Sequence, residues 1–95
     1  MNQADFEKKL QAEGYGEMVD RRMDANHFNP EHVHEFDAHV LLIDGEMTIT
    51  RHGKPETFRA GDMCSLAAGT PHAEQCGPAG AHYLAGRRYP QKAAS

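Results

Sequence analysis

Residues 29–39 read Asn29-Pro30-Glu31-His32-Val33-His34-Glu35-Phe36-Asp37-Ala38-His39, and they discriminate between helix and strand. Two histidines separated by one residue point in different directions on a helix. On a strand they share a face. A proline holds the residue before it in extended conformation, so Asn29-Pro30 favours the strand reading over 31–35. Two imidazoles then stand about 7 Å apart along one face, close enough to share an ion. Neutral imidazole is the commonest protein metal ligand and suits Fe, Zn, Ni and Cu. The same pair also fits the polar face of an edge strand.

Outward from this stretch the chain is a series of short segments punctuated by turn residues, the texture of an all-β sandwich or barrel. The spacing predicts strands over 17–23, 31–35, 38–43, 46–51, 55–59, 63–66, 71–76 and 81–87. Asn29-Pro30, Asp44-Gly45, His52-Gly53, Gly61-Asp62, Ala68-Gly69 and Gly77-Pro78 mark the breaks. Asp44-Gly45 and His52-Gly53 each read as a hairpin turn between flanking strands. Before residue 17 the reading is helical. Phe6 and Leu10 are spaced i, i+4 over residues 2–13, Asn2 or Asp5 serves as N-cap, and Gly14 and Gly16 end the helix. The organisation is a helical extension over 1–16, one β domain over 17–90 and a tail over 91–95. Many short strands with exposed edges resolve by closure or by a double-sheet roll.

Ninety-five residues make one domain. A net charge of -4 lacks the basic footprint that nucleic acid requires. Adjacent Arg87 and Arg88 read as a solvated edge. No apolar run is long enough to span a membrane, and the polar start carries no signal-peptide core, so a cytoplasmic protein is expected. Cys64 and Cys76 form neither CxxC nor zinc-finger spacing and read as free, partly buried thiols. A dyad of Cys76 with His72 would face inward, but a buried cysteine is usually inert. His34-Glu35 with His39 is one residue too long for the H-E-x-x-H of zinc proteases.

A second histidine lies in Gly61-Asp62-Met63-Cys64-Ser65-Leu66-Ala67-Ala68-Gly69-Thr70-Pro71-His72, where a turn, a strand and a glycine bend precede His72 at the start of an inward-facing strand. With the first stretch this resembles the paired motifs of the cupin superfamily. His32, His34 and Gly45 match the first motif. Gly61, Gly69 and His72 fall at the spacing of the second. The resemblance covers roughly residues 30–77, and FDAHVLLIDGEMTIT, FRAGD and AAGTPHAEQCGP look like small stand-alone cupins. It implies a cupin-type double-stranded β-barrel, or jelly roll, holding one divalent ion (Fe, Zn, Ni or Mn) on His32, His34 and His72.

The chain departs from the pattern at four points. The first motif lacks its leading Gly, the family Glu falls at Ala38, the Pro before Gly69 is Ala67, and the final Asn is Cys76. His39, Asp37 and Glu74 are the candidates for a fourth ligand or a supporting partner. Strict alternation turns Ala38 and Val40 inward and Asp37 and His39 outward, and Glu74 shares the face of His72. A three-histidine set leaves coordination positions open for a small molecule. The family implies dioxygenase-like or isomerase-like chemistry. The alternative is a non-catalytic module that binds or senses a small ligand without metal. Pairing through an exposed strand such as 17–23 makes a homodimer the expected assembly.

Overall fold

The structure, a computed structural model, describes residues 2–90. The tail expected over 91–95 lies outside the described residues. Helix α1 spans Gln3–Ala12, and the Asn2 side chain caps it by accepting the Asp5 N–H at 2.8 Å. Six strands follow: β1 Glu17–Met23, β2 Phe28–His32, β3 Asp37–Arg51, β4 Lys54–Arg59, β5 Met63–Leu66 and β6 His72–Arg88. All pairings are antiparallel.

The two long strands organise everything else. The first half of β3 pairs with the second half of β6, flanked by β5 and β1. The second half of β3 pairs with the first half of β6, flanked by β4 and β2. The sheet therefore folds over itself into two four-stranded halves. Their inner faces meet in one core that joins Val40, Leu42 and Tyr83 of one half to Met47, Ile49 and Cys76 of the other. Alternating inward residues on both halves produce this packing.

One expected hairpin and one expected strand break are corrected by the structure. Asp44-Gly45 does not reverse the chain, and neither does Gly77-Pro78. Both lie inside continuous strands, β3 and β6, at the places where their register slips. The chain bends there and passes from one half to the other. Gly45 has φ +79°, and a Cβ on it would lie 2.2 Å from the Gly80 carbonyl oxygen, so the two bends cross backbone to backbone. His52-Gly53 does form the expected hairpin turn, with Arg51 opposite Lys54.

Helix α1 lies on the outside of the β3–β6 half. Phe6 and Leu10 bury completely against Leu41 and Leu84, with Tyr15. Leu41 and Leu84 are the outward neighbours of the core-facing Val40 and Ala85. No helix among the described residues is long and apolar enough to cross a membrane.

Candidate metal centre

Strand β2, predicted over 31–35, runs instead from Phe28 to His32, with Asn29 and Pro30 inside it. Proline cannot donate to a ladder, and the register slips at that point. Asn29 faces Glu74, but His32 faces His72, so β2 gains one residue over β6 between them. Without that bulge Glu31 would stand opposite His72. A one-residue bulge thus selects which side chain meets the β6 histidine.

His34 lies beyond the strand, yet the alternation persists, with Val33 and Glu35 exposed and His32 and His34 half-buried. The approach to β6 is pinned to the same segment. Gly69 N–H donates to the His34 carbonyl at 2.9 Å, and Ala68 N–H donates to Asp37 Oδ1 at 2.8 Å. These bonds carry the chain from β5 back beside His34 just before His72 begins β6.

The three imidazoles converge. Ring centroids are 4.7 Å apart for His32 and His34, 4.4 Å for His32 and His72, and 5.2 Å for His34 and His72. One ring nitrogen from each falls in a set whose members all lie within 4.8 Å of one another. Nitrogens bound to one ion stand about 3–3.5 Å apart, so the set is slightly wider than a closed site.

Two rings are held in a defined tautomer. His32 Nδ1 lies 2.8 Å from the Pro30 carbonyl and His72 Nδ1 2.9 Å from the Thr70 carbonyl. A carbonyl only accepts, so each Nδ1 is the donor, and in the neutral ring the lone pair then lies on Nε2. Such a bond from the distal nitrogen to a carbonyl is how metal-ligating histidines are oriented. His72 is buried, and its Nε2 has no hydrogen-bond partner. A buried polar atom without a partner is costly, and a cation in front of it removes the cost. Burial, and then the neighbouring His32 and His72, pushes the His34 pKa down, which favours the neutral form that ligates. The residues fit a divalent ion.

Of the three candidates for a further ligand, the structure brings only Glu74 to the rings. Its oxygens lie 3.8 Å from His72 Nε2 and 3.9 Å from His32 Nε2. Asn29 Nδ2 donates to Glu74 Oε1 at 2.9 Å and fixes the carboxylate. Asp37 instead accepts from Ala68 and from Arg88 at 3.0 Å, and these partners hold its carboxyl below the usual range. His39 stands edge-on to Tyr15 at 4.9 Å, on the helix side of the sheet, with burial lowering its pKa. Ala38, at the position where the family carries Glu, lines the cavity with a methyl group.

The histidines open into a cavity of about 440 Å³ whose lining joins apolar Phe36, Val40, Met47 and Ile49 to charged Glu31, Glu74, Arg21 and Arg87. That size and character are ordinary for a small-molecule site. Phe36 stacks on His34 at 4.7 Å, and the Arg87 guanidinium lies 4.6 Å over the Phe36 ring. The reading of Arg87 as a solvated edge is therefore corrected: Arg87 lines the cavity, while Arg88 turns outward to Asp37 and Glu13. Alternation along Tyr83, Ala85 and Arg87 was the available signal. Cys76 is buried, with its Sγ 3.9 Å from Met23 Sδ, and burial raises its pKa, so the inert-thiol reading holds over a dyad with His72.

The family profile for the cupin domain matches residues 21–79. No curated protein sequence matches. Among solved structures, an RmlC-like cupin from Shewanella frigidimarina is similar at 19% identity and TM-score 0.68, over 79% of this chain and 67% of that one. A cupin superfamily protein from Desulfitobacterium hafniense is similar at 15% identity and TM-score 0.66, over 79% of this chain and 80% of that one. Oxalate decarboxylase from Bacillus subtilis is similar at 21% identity and TM-score 0.69, over 76% of this chain but only 20% of that one. At these identities the likeness is one of fold.

Proposed function

This chain belongs to the cupin domain family, and from that membership we propose that it holds one divalent metal ion on His32, His34 and His72 and presents it to a small molecule in the adjoining cavity. The observation that carries the reading is the buried Nε2 of His72, which has no hydrogen-bond partner and belongs to a cluster with two further imidazoles. Glu74, anchored by Asn29, supplies a carboxylate beside the rings. The similar oxalate decarboxylase from Bacillus subtilis has Mn(II) centres, which keeps Mn among the ions worth testing beside Fe, Zn and Ni.

When bound, such an ion acts as a Lewis acid and polarises an oxygen of its ligand. The protein's own residues do the rest. The Pro30 and Thr70 carbonyls orient two rings, Phe36 supports the third, and Val40, Met47 and Ile49 give the bound molecule an apolar surface. β1 is a sheet edge, which supports a homodimer formed by strand pairing, checked by sedimentation.

The test is metal content after reconstitution with Fe, Zn, Ni or Mn, followed by oxygen uptake with a panel of small diketones, thiols and phenols. One ion per chain, lost in His72→Ala, is expected. Failure to take up any of the four ions would end the metal reading. Metal uptake without turnover of any panel compound would favour a binding module over an enzyme.

A further inference from the structure

The cavity beside the histidines is electrically polarised. Its acidic lining groups, Glu31 and Glu74, belong to β2 and the first half of β6. Its two guanidinium groups, Arg21 and Arg87, belong to β1 and the second half of β6. Arg21 is opposite Tyr83 in the ladder, and residues directly opposite one another project to the same face. That face carries Tyr83 and Ala85, which line the same cavity.

The two arginines are not equally engaged. Arg87 is held by Glu17 at 3.3 Å and by the Phe36 ring. That ion pair uses one of its five N–H donors. Among the described residues no side-chain hydrogen bond or ion pair engages the Arg21 guanidinium. A surface arginine with spare donors is ordinary. Two that line one cavity from the β1 side, beside the apolar Phe36 and Val40, suit a planar anion, because the guanidinium fork matches a carboxylate.

We propose that the small molecule taken by this site is an organic carboxylate, its acid group held by the unengaged Arg21, with Arg87 adding positive charge from the same wall and the apolar body packed on Phe36 and Val40. The proposal rests on the small-molecule reading above and names the chemical class. It does not depend on which ion the histidines carry.

The experiment is calorimetric titration with benzoate and its neutral counterpart benzamide, on metal-loaded and metal-free protein. Wild type is expected to prefer benzoate by about 10- to 100-fold, the range for hydrogen bonds to a charged group. Arg21→Gln, at an exposed position that leaves the core intact, is expected to reduce the preference to within about twofold. Arg21→Lys should fall between. A carboxylate held only by the ion would keep its preference in loaded Arg21→Gln and lose it in metal-free wild type. That pattern overturns the proposal, as do equal affinities for the two probes in wild type or no benzoate binding at millimolar concentration. Metal content measured on the same samples separates this failure from failure of the metal reading.

Discussion

Replacing His72 by leucine separates a residue kept for stability from one kept for function. His72 is 1% exposed, and its Nε2 has no hydrogen-bond partner, Glu74 standing off at 3.8 Å. A buried polar atom in that state costs about 1–3 kcal/mol. Its other nitrogen bonds the Thr70 carbonyl, a contact that contributes about 0.5–1.5 kcal/mol. Leucine removes both, and half-buried Thr70 can turn its carbonyl to water. In chelator the leucine variant should therefore be as stable as wild type or more stable, by about 1 kcal/mol, which is about 4–8 °C for a domain of this size. With zinc at a hundred times its dissociation constant, wild type gains about 2.7 kcal/mol and the variant, one ligand short, gains little. The order of stabilities inverts. Urea denaturation with and without zinc reads both arms, with unchanged slopes confirming the same folded state. Destabilisation of the variant by several kcal/mol in chelator would make His72 an ordinary core residue. An equal zinc gain in both proteins would remove it from the site.

Three further outcomes follow from the packing. Burial pushes the Cys64 thiol up to about 11 and raises Cys76, so at pH 8 neither should react with an aromatic disulfide reagent until urea is added; rapid labelling of the native protein would contradict this. A Cβ on Gly86 would lie 2.2 Å from Leu10 Cδ1, so Gly86→Val should destabilise by about 1–3 kcal/mol in urea, with Leu10→Ala in the same chain recovering part of the loss rather than adding to it. Asp37 is held below its ordinary pKa by the Ala68 N–H and Arg88, so the unfolded chain takes up its proton first; the stability it contributes should be lost as the pH falls below about 4, and Asp37→Asn should flatten that part of the stability profile.

Much of this was legible in the sequence because period-2 alternation survives even where ladder pairing does not. Val33 and Glu35 flank His34 in a segment beyond β2, yet the side chains still alternate, and the three rings expected from the sequence do meet. Alternation also turned Asp37 and His39 away from the cavity and left Glu74 near His72. Two things were hidden. The bulge at Pro30, which sets His32 rather than Glu31 against His72, depends on a partner strand some forty residues away. Asp44-Gly45 and Gly77-Pro78 carry the local chemistry of a reversal, but their flanking strands are each long enough to cross both halves of the sheet. The turn residues there make a bend, since reversing would leave β3 and β6 without each other. Arg87 was masked by its neighbour Arg88, because a pair of adjacent arginines says nothing about which of them faces inward.

The claim on which the rest stands is that one ion sits among three imidazoles drawn from two distant segments. The direct measurement is an anomalous difference map of crystals grown with zinc, collected at the zinc edge. One strong peak per chain is predicted, about 2.0–2.1 Å from a ring nitrogen of each of His32, His34 and His72. No peak there, or a peak on other ligands with these three rings bonded only to protein or water, would contradict it.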